Sequence, residues 1–432
     1  MDVGLDELAT VQRAVAPPSV APTARVAVPT SDRRVRELLR WYAAPITYFG
    51  EGAADRRARL GALMRARGEP AADADAEESD GSDEEFYTEG SAALLAARRR
   101  IARTSLAAAR RRLARQREEA RVPLAQAAAA RRARLEPLQR YTALGSQLAG
   151  ERPISAVRFS PDGATLATGS WSGKAALWAV PSAAPLAALH GHEDRVTGLA
   201  WHPHGALLAT GGGEGDVCVW DARTHALARR LRGHEARVAR VAFHPLGDYV
   251  ASASFDGTWR LWDVEYGREL LVQEGHSRAV YAVDVQCDGT LVVSGGLDAL
   301  ARVWDVRTGR TAMVLDGHAR EVLGAAFAPN GYEVATASGD DTVRLWDMRR
   351  LRTRYTIPAH RSSVADVRWA PSGAFLATAG YDGLVKLWSA GDWQLMRTLA
   401  GDAGRVMSVD IAADGTLASG EWARTYKLWA AL

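Results

Sequence analysis

Four sets of residues carry the ingredients of nucleophilic chemistry: a histidine, a hydroxyl and a carboxylate, each set closed by a tryptophan. They are His234, Ser252, Asp256 and Trp262; His276, Ser294, Asp298 and Trp304; His318, Thr336, Asp340 and Trp346; and His360, Thr378, Asp382 and Trp388. In one copy such a set could be a nucleophile with its base and orienting acid. Four copies at one spacing cannot all be active sites. The same four residue types also satisfy one another: a buried His, Asp and Trp N–H must each find a partner, and a chain of hydrogen bonds between strands supplies them. The sets therefore predict a structural network. Three flanking copies are altered. One has Glu214 in place of Asp; another has Gly150 for His and Ser172 for Asp; the last has Asp402 for His and Ala423 for Asp. The four complete units are expected to be the stiffest. No Gly-rich loop with Lys, no metal-ligand spacing and no isolated nucleophile appears elsewhere, so the chain reads as neither enzyme nor metal or cofactor binder.

The elements that must position these residues repeat with them. Trp178, Trp220, Trp262, Trp304, Trp346 and Trp388 stand 42 residues apart, and Trp429 follows after 41. A Gly-His…Trp-Asp unit of this length is the signature of a WD-repeat β-propeller. Each unit reads as three short strands before its Trp-ending strand is complete, with a fourth after it and Gly-containing turns between them. One such blade cannot bury its own faces, so blades must stack around an axis. Seven Trp-anchored triplets predict an all-β seven-bladed propeller over 141–432, preceded by an α-helical N-terminal region. The seventh triplet has no following strand, and a spare strand near 141–148 precedes the first. Pairing it with 424–429 would close the ring and remove an open edge.

The loops of one rim form a second pattern. The residues just before the turn Asp or its equivalent include Trp171, Phe255, Tyr381 and Trp422, and residues shortly after the repeat His position include Arg195, Arg237, Tyr281 and Arg405. Aromatics and Arg on loops are the composition of a binding hot spot, so this face is the candidate partner-binding surface. Trp201, Trp259 and Trp369 fall within strands and are expected to pack between blades.

Ahead of the propeller the composition changes four times. Residues 1–30 are rich in Ala, Val and Pro without a period and read as a disordered tail. Residues 31–67 read as a helical hairpin, with Val35, Leu38, Leu39 and Tyr42 on one helix and Leu60, Leu63 and Met64 on the next. So short a segment builds no large core and is expected to dock on a partner. Residues 68–90 form an acidic linker with ten Asp and Glu and no Lys or Arg, in which Ser82 precedes an acidic run. Residues 91–140 reverse the sign, with fourteen Arg against three Glu. They favour helix, with Leu95, Ala102, Leu106, Ala109 and Leu113 as the expected apolar stripe. Arg98, Arg99, Arg100, Arg110, Arg111 and Arg112 are the candidates for contact with RNA backbone or a partner carrying RNA. No aromatics are interleaved, which disfavours stacking on unpaired bases. The propeller itself carries 29 basic and 31 acidic groups and is close to neutral.

Cys218 and Cys287 lie in different repeats, which suits a reducing compartment better than a disulfide scaffold. There is no 18-residue apolar run and the first residues are acidic, so a soluble, intracellular protein is expected, with no membrane contact.

The stretch Pro45-Ile46-Thr47-Tyr48-Phe49-Gly50-Glu51-Gly52-Ala53-Ala54-Asp55-Arg56-Arg57 resembles the small splicing-factor motif ahead of the propeller in the pre-mRNA-processing factor 4 family. Its marked positions are Pro45, Phe49, Gly50, Gly52, Arg56 and Arg57. Arg152-Pro153-Ile154-Ser155, Trp171-Ser172-Gly173, Gly275-His276-Ser277, Gly296-Leu297-Asp298-Ala299, Tyr355-Thr356-Ile357-Pro358-Ala359-His360 and Lys427-Leu428-Trp429 are similar to that family too. The resemblance implies a non-catalytic nuclear scaffold of the U4/U6 small nuclear ribonucleoprotein and tri-snRNP. Its implied partners are pre-mRNA-processing factor 3, a spliceosomal cyclophilin and U4/U6 snRNA, with this chain a monomer within a hetero-assembly. The helix at 91–121 is more Arg/Ala-rich than that family's. A different class also fits parts of the sequence: Trp-Asp-x-Arg at 220–223, 304–307 and 346–349 occurs in substrate receptors of cullin-type ubiquitin ligases, though it is also ordinary repeat sequence.

Overall fold

The computed structural model describes residues 32–42, 44, 53–67, 91–401 and 404–431. The expected disordered tail, the whole acidic linker with Ser82, and Pro45, Phe49, Gly50, Gly52 and Asp402 lie outside the described residues. The chain divides into two compact units, Met1–Thr88 and Glu89–Leu432.

In the first unit, α1 (Asp32–Trp41) and α2 (Ala53–Arg67) bury one small cluster. Val35, Leu39, Tyr42, Leu60 and Met64 form it, with Leu38, Ala44 and Leu63 against its edge. These are the positions that a 3.6-residue period aligns on one side of each helix. Arg56 is buried beside them, whereas Arg57 is exposed.

The second unit is a propeller of seven four-stranded antiparallel sheets. The third blade is representative: Val238–Phe243, Tyr249–Ser254, Trp259–Asp263 and Arg268–Gln273 run from the axis outward. Its small and β-branched inner residues suit strands buried on both sides. Each inner strand carries a bulge between its first and third residues. The bulge adds a residue without a ladder partner and re-aims its side chain; Tyr281 occupies such a place. The core lies between blades. One cluster joins Val217, Val219 and Leu231 of the second blade to Val238, Val250 and Trp262 of the third.

The seventh blade takes its outer strand from the start of the domain. Tyr141–Leu148 pairs antiparallel with Thr425–Ala431, with Tyr141 opposite Ala431 and Leu148 opposite Thr425. Tyr426 and Leu428 then pack on Ile154, Val157 and Trp178 of the first blade. This pairing covers the edge of Thr425–Ala431 and leaves Tyr141–Leu148 as the outer strand of a four-stranded blade like the other six.

Two further helices run before the closing strand. α3 (Ala92–Arg121) starts at Ser91, whose Oγ accepts the Leu94 N–H at 3.2 Å, and α4 (Leu124–Leu135) follows Pro123. Leu94, Ala97 and Ile101 enter the core of the third and fourth blades beside Tyr249, Leu261 and Leu270. Leu135 and Leu138 pack on Phe375, Ile411, Leu417 and Trp429 at the sixth and seventh. The helices thus form a strap across the face that bears the turns between first and second strands. This corrects the expected stripe on α3: Leu95, Leu106 and Leu113 are exposed, Leu106 by 66%. No described helix is long and apolar enough to cross a membrane.

Candidate functional site

The repeated polar sets are closed networks. In the third blade His234 meets Asp256 through Nδ1 and Ser252 through Nε2, both at 2.7 Å, and the Trp262 indole N–H donates to Ser252 Oγ at 2.7 Å. The fourth, fifth and sixth blades repeat this. Histidine-to-hydroxyl distances are 2.7 Å for His276–Ser294 and His318–Thr336 and 2.8 Å for His360–Thr378. Trp304, Trp346 and Trp388 donate to the same hydroxyls. Each hydroxyl is fully buried and already engaged on both sides, so none can meet a substrate.

Electrostatics agree with a structural role. Burial lowers the pKa of His276, His318 and His360 and outweighs their aspartates. These rings are therefore neutral at pH 7. Burial works against ionisation of Asp340, but hydrogen bonds from Thr342 and His318 overcome it and bring the carboxyl down to about 2.

The second blade is less altered than its sequence suggests. Glu214 reaches His192 in place of Asp, His192 still meets Thr210 at 2.6 Å, and Trp220 donates to Thr210 at 2.9 Å. One added methylene leaves the chain of bonds intact. The first and seventh blades keep only the Trp-to-hydroxyl bond among the described residues, Trp178 to Thr168 at 2.9 Å and Trp429 to Ser419 at 3.0 Å.

The turns between second and third strands place the aromatic residues on one rim, in two arcs. Trp171 and Trp422 meet edge to face at 4.8 Å across the closure between the seventh and first blades. Arg405 lies 5.3 Å from the Tyr381 ring and 5.7 Å from Trp422, and Arg195 lies 5.4 Å from Trp171. In the second arc Arg237 stacks on Phe255 at 3.6 Å, and Phe255 meets Tyr281 at 6.1 Å. Such stacking fixes long Arg stems while leaving hydrogen-bonding edges. Trp422 is 39% exposed, and burial pushes the Tyr381 hydroxyl up to about 12. Between the arcs the rim narrows to Gly213 and Gly339. A Cβ at either would collide with Asp194 or Glu321, so acidic side chains occupy the places where the arcs have rings. Trp259 and Trp369 are buried and Trp201 is half-buried.

The axis is filled by charge, which the sequence reading missed. Arg158, Asp284, Arg368 and Asp410 occupy one inner-strand register, where the other blades have Ala200, Ala242 and Ala326. Arg158 contacts Asp366 at 3.3 Å and donates to Ser408 at 3.0 Å. Burial lowers Arg158 to about 10 and raises Asp284 and Asp410, while Arg158 and Arg368 overcome burial at Asp366 and hold it at about 2. The signal was available as charged residues at a register that is otherwise Ala.

On the strap face, the six candidate Arg of α3 separate into two groups. Arg98 donates to the Val306 carbonyl at 3.2 Å, Arg100 pairs with Asp248 at 2.8 Å, and Arg112 donates to Asp288 at 2.9 Å and to the Asn330 carbonyl at 2.8 Å. These three hold the helix to the disc. Arg99, Arg110 and Arg111 are exposed. In the first unit, α1 leaves Trp41 68% exposed beside Tyr42, their rings 4.9 Å apart. The helical period puts Trp41 off the buried face, and an exposed Trp is a common binding anchor.

Comparison with known proteins follows the same division. The WD domain, G-beta repeat family model matches residues 143–179, 183–221, 226–263, 267–305, 309–347 and 351–389. The pre-mRNA processing factor 4 (PRP4) like model matches residues 35–63. Among relatives, an uncharacterized WD repeat-containing protein of Schizosaccharomyces pombe is 47% identical over 174 residues, 40% of this chain and 38% of that protein. The U4/U6 small nuclear ribonucleoprotein Prp4 of Homo sapiens is 41% identical over 179 residues, 40% of this chain and 34% of the relative. That of Saccharomyces cerevisiae is 35% identical over 161 residues, 34% of this chain and 33% of the relative. The matched stretch thus spans about a third of each relative's length.

Proposed function

The chain belongs to the WD-repeat family and is Prp4-like, and from that premise we propose that it is a non-catalytic scaffold subunit of the U4/U6 snRNP and tri-snRNP in the nucleus. The observation that supports this best is the PRP4-like helical pair in the same chain as a closed disc whose repeated His-hydroxyl sets are consumed in hydrogen bonds. The disc offers two faces and a fixed outline. The aromatic–Arg rim binds a protein partner. The α1–α2 pair docks through its exposed face, with Trp41 as anchor. The exposed Arg99, Arg110 and Arg111 meet snRNA backbone, directly or through a partner. The partners implied by the resemblance are pre-mRNA-processing factor 3, a spliceosomal cyclophilin and U4/U6 snRNA.

The alternative, a substrate receptor of a cullin-type ubiquitin ligase, has only ordinary repeat sequence behind it. Arg307 and Arg349 of the Trp-Asp-x-Arg stretches are each bidentate on the Asp of their own turn, Asp305 and Asp347. The test is to purify the tagged full chain from nuclear extract, crosslink the assembly, and identify peptides and RNA. U4 and U6 RNA in the eluate, with crosslinks from α1–α2 to a splicing protein, is the expected result. Recovery of a cullin adaptor without those RNAs would refute the proposal.

A further inference from the structure

The strap face carries a second basic feature, on the fifth blade. The turn from third to fourth strand reads Asp347-Met348-Arg349-Arg350-Leu351-Arg352-Thr353-Arg354. It walls a cleft of about 370 Å³ lined by Tyr332, Asp347, Arg349, Arg350, Arg352, Thr353 and Arg354. Four guanidinium groups thus face one carboxylate.

Two of the four are tethered. Arg349 stacks on Tyr332 at 3.5 Å and is bidentate on Asp347 at 3.1 and 3.0 Å. Arg354 pairs with Glu333. The side chains of Arg350 and Arg352 are exposed and have no ion-pair partner among the described residues. A tethered floor with untethered cations above it suits an anion with several acceptor oxygens, because guanidinium forks match phosphate.

Leu351 has φ +52° at the turn position where the third and fourth blades use Gly267 and Gly309 and where Ala183, His225 and Trp393 hold the same left-handed conformation in the first, second and sixth. The turn shape is common to the repeat; the fifth blade alone has an arginine on both sides of that position, Arg350 and Arg352, with Leu351 between them 69% exposed.

The cleft adjoins the strap. The Asn330 carbonyl accepts from Arg112 at 2.8 Å and from Gln116 at 2.9 Å, and the same Asn330 caps the turn that presents Tyr332. Beyond Gln116 the charge is balanced, with Arg121 paired to Glu118 at 2.9 Å, but on the other side of Arg112 the helix carries the exposed Arg111, Arg110 and Arg99. The positive charge is therefore repeated along that part of the surface, which suits a polymer of phosphates better than one phosphorylated side chain.

We propose that this cleft binds a phosphate of a nucleic-acid backbone, with Arg350 and Arg352 as the contacting residues and α3 guiding the same strand pair past it. It rests on the proposed RNA contact but uses different residues, so the two can fail separately. The test is fluorescence anisotropy of a labelled RNA duplex with the full chain over a series of KCl concentrations. R350Q/R352Q should lower the log–log salt slope by about 0.7–0.9 per lost contact. R361Q, on the opposite face, should leave it unchanged. The Arg350 and Arg352 side chains make no hydrogen bond or ion pair among the described residues, and Asp347 keeps its bidentate Arg349, so the double variant should melt like the parent. If R99Q/R110Q/R111Q lowers the slope and R350Q/R352Q does not, the cleft proposal is overturned and the α3 reading stands. If neither lowers it, both fall. A phosphoserine peptide that binds the cleft more tightly than the duplex would also overturn the assignment to nucleic acid.

Discussion

The two faces of the disc are built by the same strands and differ in almost every other respect. The rim with Trp171, Phe255, Tyr381 and Trp422 is drawn from the repeat itself: one register, filled by rings in some blades and by glycine with a neighbouring acid in others. The opposite face is covered from the third blade to the seventh by a non-repeating strap. On the first face the surface chemistry comes from variation within a period. On the second it comes from a segment with no period of its own, held by Ile101 in the core and by Arg100 and Arg112 on turn carboxylates. A repeated scaffold can thus acquire different surfaces by substituting at one position or by adding one element.

The comparison can be broken most forcefully at what both faces share. Trp262→Ala removes a buried ring and leaves the Ser252 hydroxyl short of a donor, which should destabilise the disc by about 3–5 kcal/mol in urea unfolding. A loss confined to one face would contradict a common frame. Ile101→Ala should cost about 2–5 kcal/mol, but locally: amide exchange should quicken along α3 and the turns beneath it while the aromatic rim stays protected. Global unfolding instead would mean that the strap is part of the frame.

A smaller effect separates the central blades from both surfaces. His276, His318 and His360 have pKa values below the ordinary 6.5 because they are buried. Below pH 6.5 the unfolded chain takes up these protons before the folded one does, so stability falls as pH falls through this window. It is regained above it. H318Q should flatten that part of the stability–pH curve; an unaltered curve would show that the imidazoles do not contribute. The smallest change in stability is expected from Trp171→Ala with Trp422→Ala, which should leave the melting temperature near that of the parent while weakening capture of the protein partner proposed for the rim. A collapse of melting would place these rings in the core.

Much of the architecture was legible because a 42-residue period allows one unit to be read seven times. The His-hydroxyl-Asp-Trp sets could be assigned to structure before any distance was known, and the α1–α2 cluster followed from a clean 3.6-residue spacing. The strap was not legible in the same way. In an Ala/Arg helix both Leu95–Leu106–Leu113 and Leu94–Ala97–Ile101 are possible seams, and hydropathy favours the first. The second is buried because long Arg stems can cross apolar surface and deliver their charge to Asp248 and Asp288 at its edge.

The sequence alone therefore determined the number of blades, their closing pair of strands and the mutual pairing within the polar sets, since each is a property of a repeat that must satisfy itself. Tertiary structure alone decided which side of α3 faces the disc, where the axial charges meet, and which arginines are spent and which remain. Those outcomes depend on carbonyls and carboxylates brought together from turns far apart in the chain, and no local spacing encodes them.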